Sequence, residues 1–209
     1  GTLLPILIAA DILSVYHHRG KWDKRNLALL LPGSLVGIFI GAMVLKQIDK
    51  RGLEIGIGVI CLLYLLLDFI KRKYAPQWHF KPGPVSGTTT GTSAGFVSTL
   101  AHAAGPLITI FLLGQHLNKS AFIGTAVLYF LLVNVVKLVP YGYLGMIDTS
   151  TLWSGLWLLP FVPIGTYLGV RLHHVMSEAT FRFIVLTLLV VSGVQLIIGQ
   201  DRVFNWLGL

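Results

Sequence analysis

Small and polar residues interrupt a long apolar stretch near the middle of the chain, in the run Ser98-Thr99-Leu100-Ala101-His102-Ala103-Ala104-Gly105-Pro106. Proline suits the first turn of a helix, so Gly105-Pro106 predicts that one helix ends and another begins here. The amino end of the second helix would present unpaired N–H groups and a positive dipole end, which bind anions without a charged side chain. His102 adds a hydrogen-bond donor, or a positive charge when protonated. The alternative is that the His102 ring only forms a hydrogen bond with a neighbouring carbonyl and does not bind a ligand.

Three further polar residues lie within apolar stretches. Lys137 either faces a polar cavity and attracts an anion or extends to the membrane surface, because burying an unpaired ammonium costs at least about 2.5 kcal/mol. Asn134 precedes it by three residues, shares roughly the same helical face and is able to donate to the same ligand. Asp11 places a carboxylate in another apolar stretch, where it would pair with a cation, bind a proton or lie in water at a helix end. We predict that Asp11 takes part in ion coupling.

The sequence predicts no metal and no cofactor. Adjacent histidines on a helix point to different faces, so neither His17-His18 nor His173-His174 forms a metal site without added ligands. Cys61 is the only cysteine and lies in an apolar run. It therefore predicts packing and excludes an intramolecular disulfide.

The composition places these residues in a membrane. Of 209 residues, 55% are hydrophobic and only 11% are charged, and the mean hydropathy is +0.78. The net charge of +8 comes from basic residues in short loops, which form no continuous face for nucleic acid. Charge-free length and turn residues predict spanning helices over 1–16, 27–45, 53–70, 120–141, 151–171 and 180–199.

The remaining apolar stretch, 86–116, would form a helix of about 46 Å, which is too long for a hydrocarbon core of about 30 Å. A break at Gly105-Pro106 instead predicts two shorter helices that form a re-entrant hairpin. If the chain returns to its starting side, the loop Lys and Arg residues divide eleven to four between the two sides, against nine to six for a single crossing. The richer side is then cytoplasmic.

Two patterns occur twice in the chain. A Gly-Thr pair is followed by a polar residue ten positions after the glycine, and a Leu-Pro pair is followed by two glycines at fixed offsets. The Gly-Thr pattern runs from Gly1 to Asp11 and again from Gly124 to Asn134. The Leu-Pro pattern runs from Leu31 to Gly41 and again from Leu159 to Gly169. We interpret the glycines at 37, 41, 165 and 169 as helix-packing positions.

These patterns predict an all-α polytopic membrane protein with two inverted repeats of three spanning helices, each preceded by a broken or re-entrant helix. The first broken helix is expected before Gly1. The alternative is chance similarity between two hairpins rich in Leu and Gly. The predicted segments are an incomplete first repeat (1–72), a cytoplasmic linker (73–85), a second repeat (86–200) with the broken helix 86–116, and a tail (201–209).

The chain resembles the TauE/SafE family of bacterial sulfite and organosulfonate exporters over nearly its whole length. The resemblance is carried by residues 100–106, by Gly124-Thr125 with Asn134, by residues 137–141, and by the Pro-Gly-Gly helices at 32–41 and 160–169. It implies a multi-pass protein of the bacterial inner membrane with a site between its two halves. The predicted substrate-binding residues are Ser98, Thr99, His102, Gly105, Pro106, Thr125, Asn134 and Lys137.

The predicted function is a secondary transporter of a small anion such as sulfite or an organosulfonate, with the lipid bilayer and a second copy of the chain as candidate partners. One alternative is an intramembrane hydrolase that uses Ser98 or His102, but no carboxylate–histidine or paired-histidine arrangement lies at catalytic spacing. Another is a membrane scaffold that does not transport. Polar residues within the membrane that can be substituted without loss of function would indicate the scaffold.

Overall fold

The computed structural model describes residues 3–45, 47, 49–74, 83–146 and 159–199. Of the described residues, most lie in eight helices, and α2, α6 and α8 are long and apolar enough to cross a membrane. The helices are α1 (Leu3–His17), α2 (Lys24–Val44), α3 (Lys50–Tyr74), α4 (Pro84–Ala101), α5 (Gly105–Leu113), α6 (Lys119–Tyr143), α7 (Phe161–Val175) and α8 (Glu178–Ile198). The architecture is therefore the helical membrane bundle that the composition predicts.

Helices α2 and α4 pack through two rows of glycines spaced four residues apart. A Cβ atom added at Gly37 would collide with the backbone of Thr92, and one added at Gly95 would collide with the backbone of Ser34. Small residues let helix backbones approach closely, and the van der Waals contacts that result stabilise helix pairs in lipid. The two rows are Gly33, Gly37 and Gly41 on α2, and Gly87, Gly91 and Gly95 on α4.

Helix α6 connects several other helices through polar side chains. The hydroxyl of Tyr129 lies 2.8 Å from Ser34 Oγ of α2, and Tyr141 donates to the Thr99 carbonyl of α4 at 2.7 Å. In membrane proteins an interhelical hydrogen bond contributes about 0.6 kcal/mol on average. Both tyrosines are fully buried, so α6 fixes the positions of α2 and α4 relative to each other.

The chain between α4 and α6 returns to the side from which it started. Gly33 lies against Thr88 and Gly41 lies against Phe96, so α2 and α4 run parallel and begin on the same side. Helix α6 also begins there, because Asp23 N donates to Thr125 Oγ1 at 2.8 Å. Helices α4 and α5 therefore form a re-entrant hairpin.

Helix boundaries agree with the predicted spans to within a few residues. Helix α3 begins earlier than predicted because both carboxylate oxygens of Asp49 accept from backbone N–H groups in its first turn, those of Arg51 and Gly52. It also extends through Tyr74, into the start of the predicted linker 73–85. Most of that linker, the first part of the predicted helix 151–171 and the predicted tail 201–209 lie outside the described residues.

The packing prediction is confirmed for two of the four repeated glycines. Gly37 and Gly41 pack against α4, and a Cβ at Gly41 would lie 3.1 Å from Phe96 O. For Gly165 and Gly169 no described heavy atom lies within 4 Å of an added Cβ. Cys61 is fully buried in the hydrophobic core, as its apolar surroundings predict.

Candidate functional site

The predicted break divides the stretch into α4 and α5, with residues 102–104 between them. His102 ends α4 in the left-handed conformation, with φ 53° and ψ 24°. A residue with a side chain pays about 1–2 kcal/mol to adopt this conformation, which glycine adopts freely at helix ends. Such conformations cluster at functional sites. The imidazole therefore lies at the turning point of the hairpin.

One face of the break is closed by side chains of α6. Lys137 is fully buried and donates from Nζ to Ser98 Oγ at 2.9 Å and to the Ser98 carbonyl at 3.3 Å. Its charge lies at the carboxyl end of α4, where the helix dipole is negative. Of the two alternatives for Lys137, extension to the membrane surface is therefore excluded. This side chain positions the end of α4.

Tyr141 completes this closed face. Its hydroxyl donates to Thr99 O, and its ring meets the His102 ring edge-on with centroids 6.1 Å apart. The Thr99 hydroxyl donates to Gly95 O within α4 at 2.9 Å. Ser98 and Thr99 are thus occupied by contacts within the bundle.

Asp11 and Asn134 form a second polar contact on α6. Asn134 Nδ2 donates to Asp11 Oδ2 at 2.8 Å, which joins α1 to α6. The Asp11 carboxylate also attracts the Lys137 ammonium. Lys137, Asn134 and Tyr141 share one face of α6, as their spacing predicts.

The opposite face of the break is open. A cavity of about 250 Å³ lies between the break, α3 and α8. Ala104, the N-cap of α5, has no side-chain oxygen to accept from the first turn of that helix, so these N–H groups face the break without a side-chain cap. Lining residues are Glu54 of α3, Ala101, His102, Ala103 and Pro106 of the break, and Ser192, Gln195 and Leu196 of α8.

Sequence reasoning missed three polar residues of this cavity. Ser192 and Gln195 differ by three positions and so share one face of α8, but single polar residues in an apolar helix gave no signal about the partner helix. Glu54 lies near charged residues at the start of α3, which is typical of a helix end in water. Arg51 lies 3.6 Å from Glu54 and donates to the carbonyls of Leu196 and Ile197. These contacts tie the start of α3 to the end of α8.

The structure does not bring Thr125 to the break. Its hydroxyl accepts from Asp23 N, at the start of α2. Thr125 precedes Asn134 by nine residues, about 13 Å along a helix at about 1.5 Å per residue. Of the predicted site, His102 and Pro106 line the cavity, and Gly105 begins α5 beside it. Ser98, Thr99, Asn134 and Lys137 form contacts between helices.

The chemistry of the break is that of binding and orientation. In the part of the chain that the structure describes, no group of three His, Cys, Asp or Glu side chains comes together. The cavity combines an imidazole, an amide and a hydroxyl, and these groups are suited to an oxyanion.

Comparison with known proteins gives three results. The sequence profile of the family described as Sulfite exporter TauE/SafE matches residues 1–196. The chain is 28% identical over 204 residues to a protein of Comamonas testosteroni described as a probable inner membrane transporter protein, TsaS, and the match covers 91% of this chain and 81% of that protein. No solved structure matches the chain.

Proposed function

Because the chain belongs to the TauE/SafE sulfite exporter family, we propose that the anion it transports is sulfite or an organosulfonate, bound in the cavity at the α4–α5 break. Membership of this family makes the chain a membrane transporter and not an enzyme. Its apolar helices and its inner-membrane relative agree with a multi-pass protein of the inner membrane. The hydrolase alternative is therefore set aside.

The observation that carries the proposal is the break with one closed and one open face. Lys137 and Tyr141 hold the end of α4 from the closed side, while His102, Ala103 and Pro106 border the open cavity. Gly105 begins α5 beside this cavity, and its N–H would supply the contact of a helix amino end to an anion, since Pro106 has no N–H. Discontinuous helices at membrane depth serve this purpose in secondary transporters.

The size and polarity of the cavity suit a small oxyanion. Its volume of about 250 Å³ is below the range of about 300–1,000 Å³ usual for drug-sized ligands. Ser192 and Gln195 would donate to the sulfur-bound oxygens, and His102 would add a donor or a positive charge. Apolar neighbours such as Ala103 and Leu196 would contact the carbon chain of an organosulfonate.

Glu54 carries the charge opposite to that expected at an anion site. Arg51 lies 3.6 Å away, and both side chains are about one-third exposed. We infer that Glu54 lies at the rim and that Arg51 offsets its charge. A rim carboxylate of this kind would weaken anion binding slightly without preventing it.

A flux assay with the purified protein in proteoliposomes tests the proposal. We expect saturable uptake of sulfite or ethanesulfonate, a loss of at least about ten-fold in His102→Ala, and no change in His17→Ala. His17 is the matched control because its exposed ring contacts Leu13 O and the Tyr16 ring within α1 and does not line the cavity. Uptake no faster than in empty vesicles would instead favour a scaffold, and equal uptake in both histidine variants would exclude this cavity.

A further inference from the structure

A second open region lies between α1, α6 and α7. It is a groove of about 440 Å³, lined by Ser14 and His18 at the end of α1, by Ile123 of α6, and by Gly165, Thr166 and Gly169 of α7. The two glycines expose bare backbone in the middle of an otherwise apolar helix. Glycines four residues apart on a membrane helix allow a second helix to approach closely.

The repeated sequence pattern relates this groove to the surface of α2 on which α4 packs. Gly165 and Gly169 follow Leu159-Pro160 at the offsets at which Gly37 and Gly41 follow Leu31-Pro32. On α2, these two glycines contact α4. On α7, their equivalents face the groove. Phe161 replaces the third glycine, Gly33, so the match covers the central two positions.

The alignment of α1 with α6 leads to the same region. The spacing that matches Asp11 with Asn134 also matches Ser14 with Lys137 and His18 with Tyr141. Lys137 and Tyr141 are the two side chains that hold the end of α4. Ser14 and His18 both line the groove. The alignment of α2 with α7 and the alignment of α1 with α6 thus both lead to this groove.

The packing of the helices follows the same relation. Helix α2 contacts α6, and its equivalent α7 contacts α1, while α1 contacts α6 and α3 contacts α8. Under the repeat, the α2–α6 contact corresponds to the α7–α1 contact, and the α1–α6 and α3–α8 contacts each correspond to themselves. The contact of α2 with α4 has its counterpart at the groove, where no described helix lies.

We propose that this groove is the seat of a Gly-, Ser- or Ala-rich helix that precedes residue 1 in the same polypeptide and runs parallel to α7. Chain order identifies the occupant. Helices α4 and α5 directly precede α6, and α6 is the counterpart of α1, so the counterpart of α4 would directly precede α1. A lipid chain would fill an apolar groove equally well. However, the hydroxyl groups of Ser14 and Thr166 favour an occupant with backbone carbonyls.

The proposal is independent of the anion and is tested without transport. In the complete gene product, Gly165→Leu and Gly169→Leu should reduce folded yield at least about five-fold, measured by fluorescence-detected size exclusion in mild detergent. Gly37→Leu, which collides with α4, should show the same loss, and Gly142→Leu, where an added Cβ meets no described atom within 4 Å, should show none. Groove variants that behave like Gly142→Leu would overturn the proposal, as would a gene that encodes no apolar segment before residue 1.

Disulfide cross-linking identifies the occupant. With Cys61→Ala as background, Gly169→Cys is paired with single cysteines placed along the preceding segment, and the oxidised protein is examined by non-reducing electrophoresis. We expect a monomer of altered mobility for cysteines spaced three or four residues apart. A dimer band from Gly169→Cys alone, which indicates a second copy in the groove, or no cross-linked monomer at any position, would refute the assignment.

Discussion

The two faces of the α4–α5 break differ in how completely their polar groups are used. Towards α6, Ser98 and Thr99 are buried and bonded to Lys137 and Tyr141. Towards α3 and α8, His102 borders a cavity with Ser192 and Gln195. A helix can end inside a membrane only if its last carbonyls find partners. The closed face supplies these partners, and we propose that the open face binds the ligand.

Two glycine variants should give the largest difference between the packed and the open side. Gly95→Ala should destabilise the protein by about 3 kcal/mol, because the methyl group would collide with the Ser34 backbone of α2. Gly105→Ala should leave stability nearly unchanged, since no described atom lies within 4 Å of an added Cβ there. Thermal unfolding in detergent measures both. Equal losses in the two variants would show that the break is packed on both faces.

A double-mutant cycle measures the contact that closes the first face. Ser98→Ala should destabilise by about 2 kcal/mol, because it leaves the buried Lys137 ammonium with only the longer bond to a carbonyl. In a Lys137→Met background the same change should have little effect, since no charge is left unpaired. Thermal unfolding of the four proteins gives the coupling. Additive effects of the two substitutions would mean that this bond does not fix the break.

Substitutions of His102 separate its backbone role from its side-chain role. Both His102→Gly and His102→Ala should slow anion flux about ten-fold, the effect of losing about 1.4 kcal/mol of binding. His102→Gly should be about 1 kcal/mol more stable than His102→Ala, because glycine adopts the left-handed conformation without strain. Flux and thermal unfolding are measured on the same preparations. If His102→Gly restores flux to the wild-type rate, the imidazole has no part in transport.

The smallest effect is expected at the rim of the cavity. Glu54→Gln should lower the KM for the anion about three-fold, because a partly exposed negative charge beside the site is removed. Glu54→Asp keeps the charge and serves as the matched control. Concentration dependence of flux checks both variants. A raised KM in Glu54→Gln would mean that the carboxylate takes part in binding, through a proton or through Arg51.

Much of the fold could be predicted from the sequence because lipid restricts the choices. Apolar length located the helices, and Gly105-Pro106 with the loop charges predicted the re-entrant hairpin that α4 and α5 form. The end of α4 at Ala101, before the Gly-Pro pair, was less predictable. It depends on the left-handed conformation of His102, which propensity disfavours and Lys137 supports from another helix.

The site was predictable only in part, because its residues meet through tertiary packing. The sequence marked Lys137 as an unusual buried charge, but its partner Ser98 lies 39 positions away. Thr125 was chosen from a motif and instead contacts the start of α2. Ser192 and Gln195 became candidates only when α8 was seen beside the break. Pairing between helices therefore decides which polar residues face a ligand.

Cysteine accessibility tests most directly whether the open face of the break is the substrate site. With Cys61→Ala as background, Ser192→Cys is treated with a cationic methanethiosulfonate reagent in the presence and absence of ethanesulfonate. Our account predicts that ethanesulfonate slows modification of Ser192→Cys in a saturable way, and that Ser98→Cys, on the closed face, reacts slowly under both conditions. The same rate of Ser192→Cys modification with and without ethanesulfonate would contradict binding in this cavity.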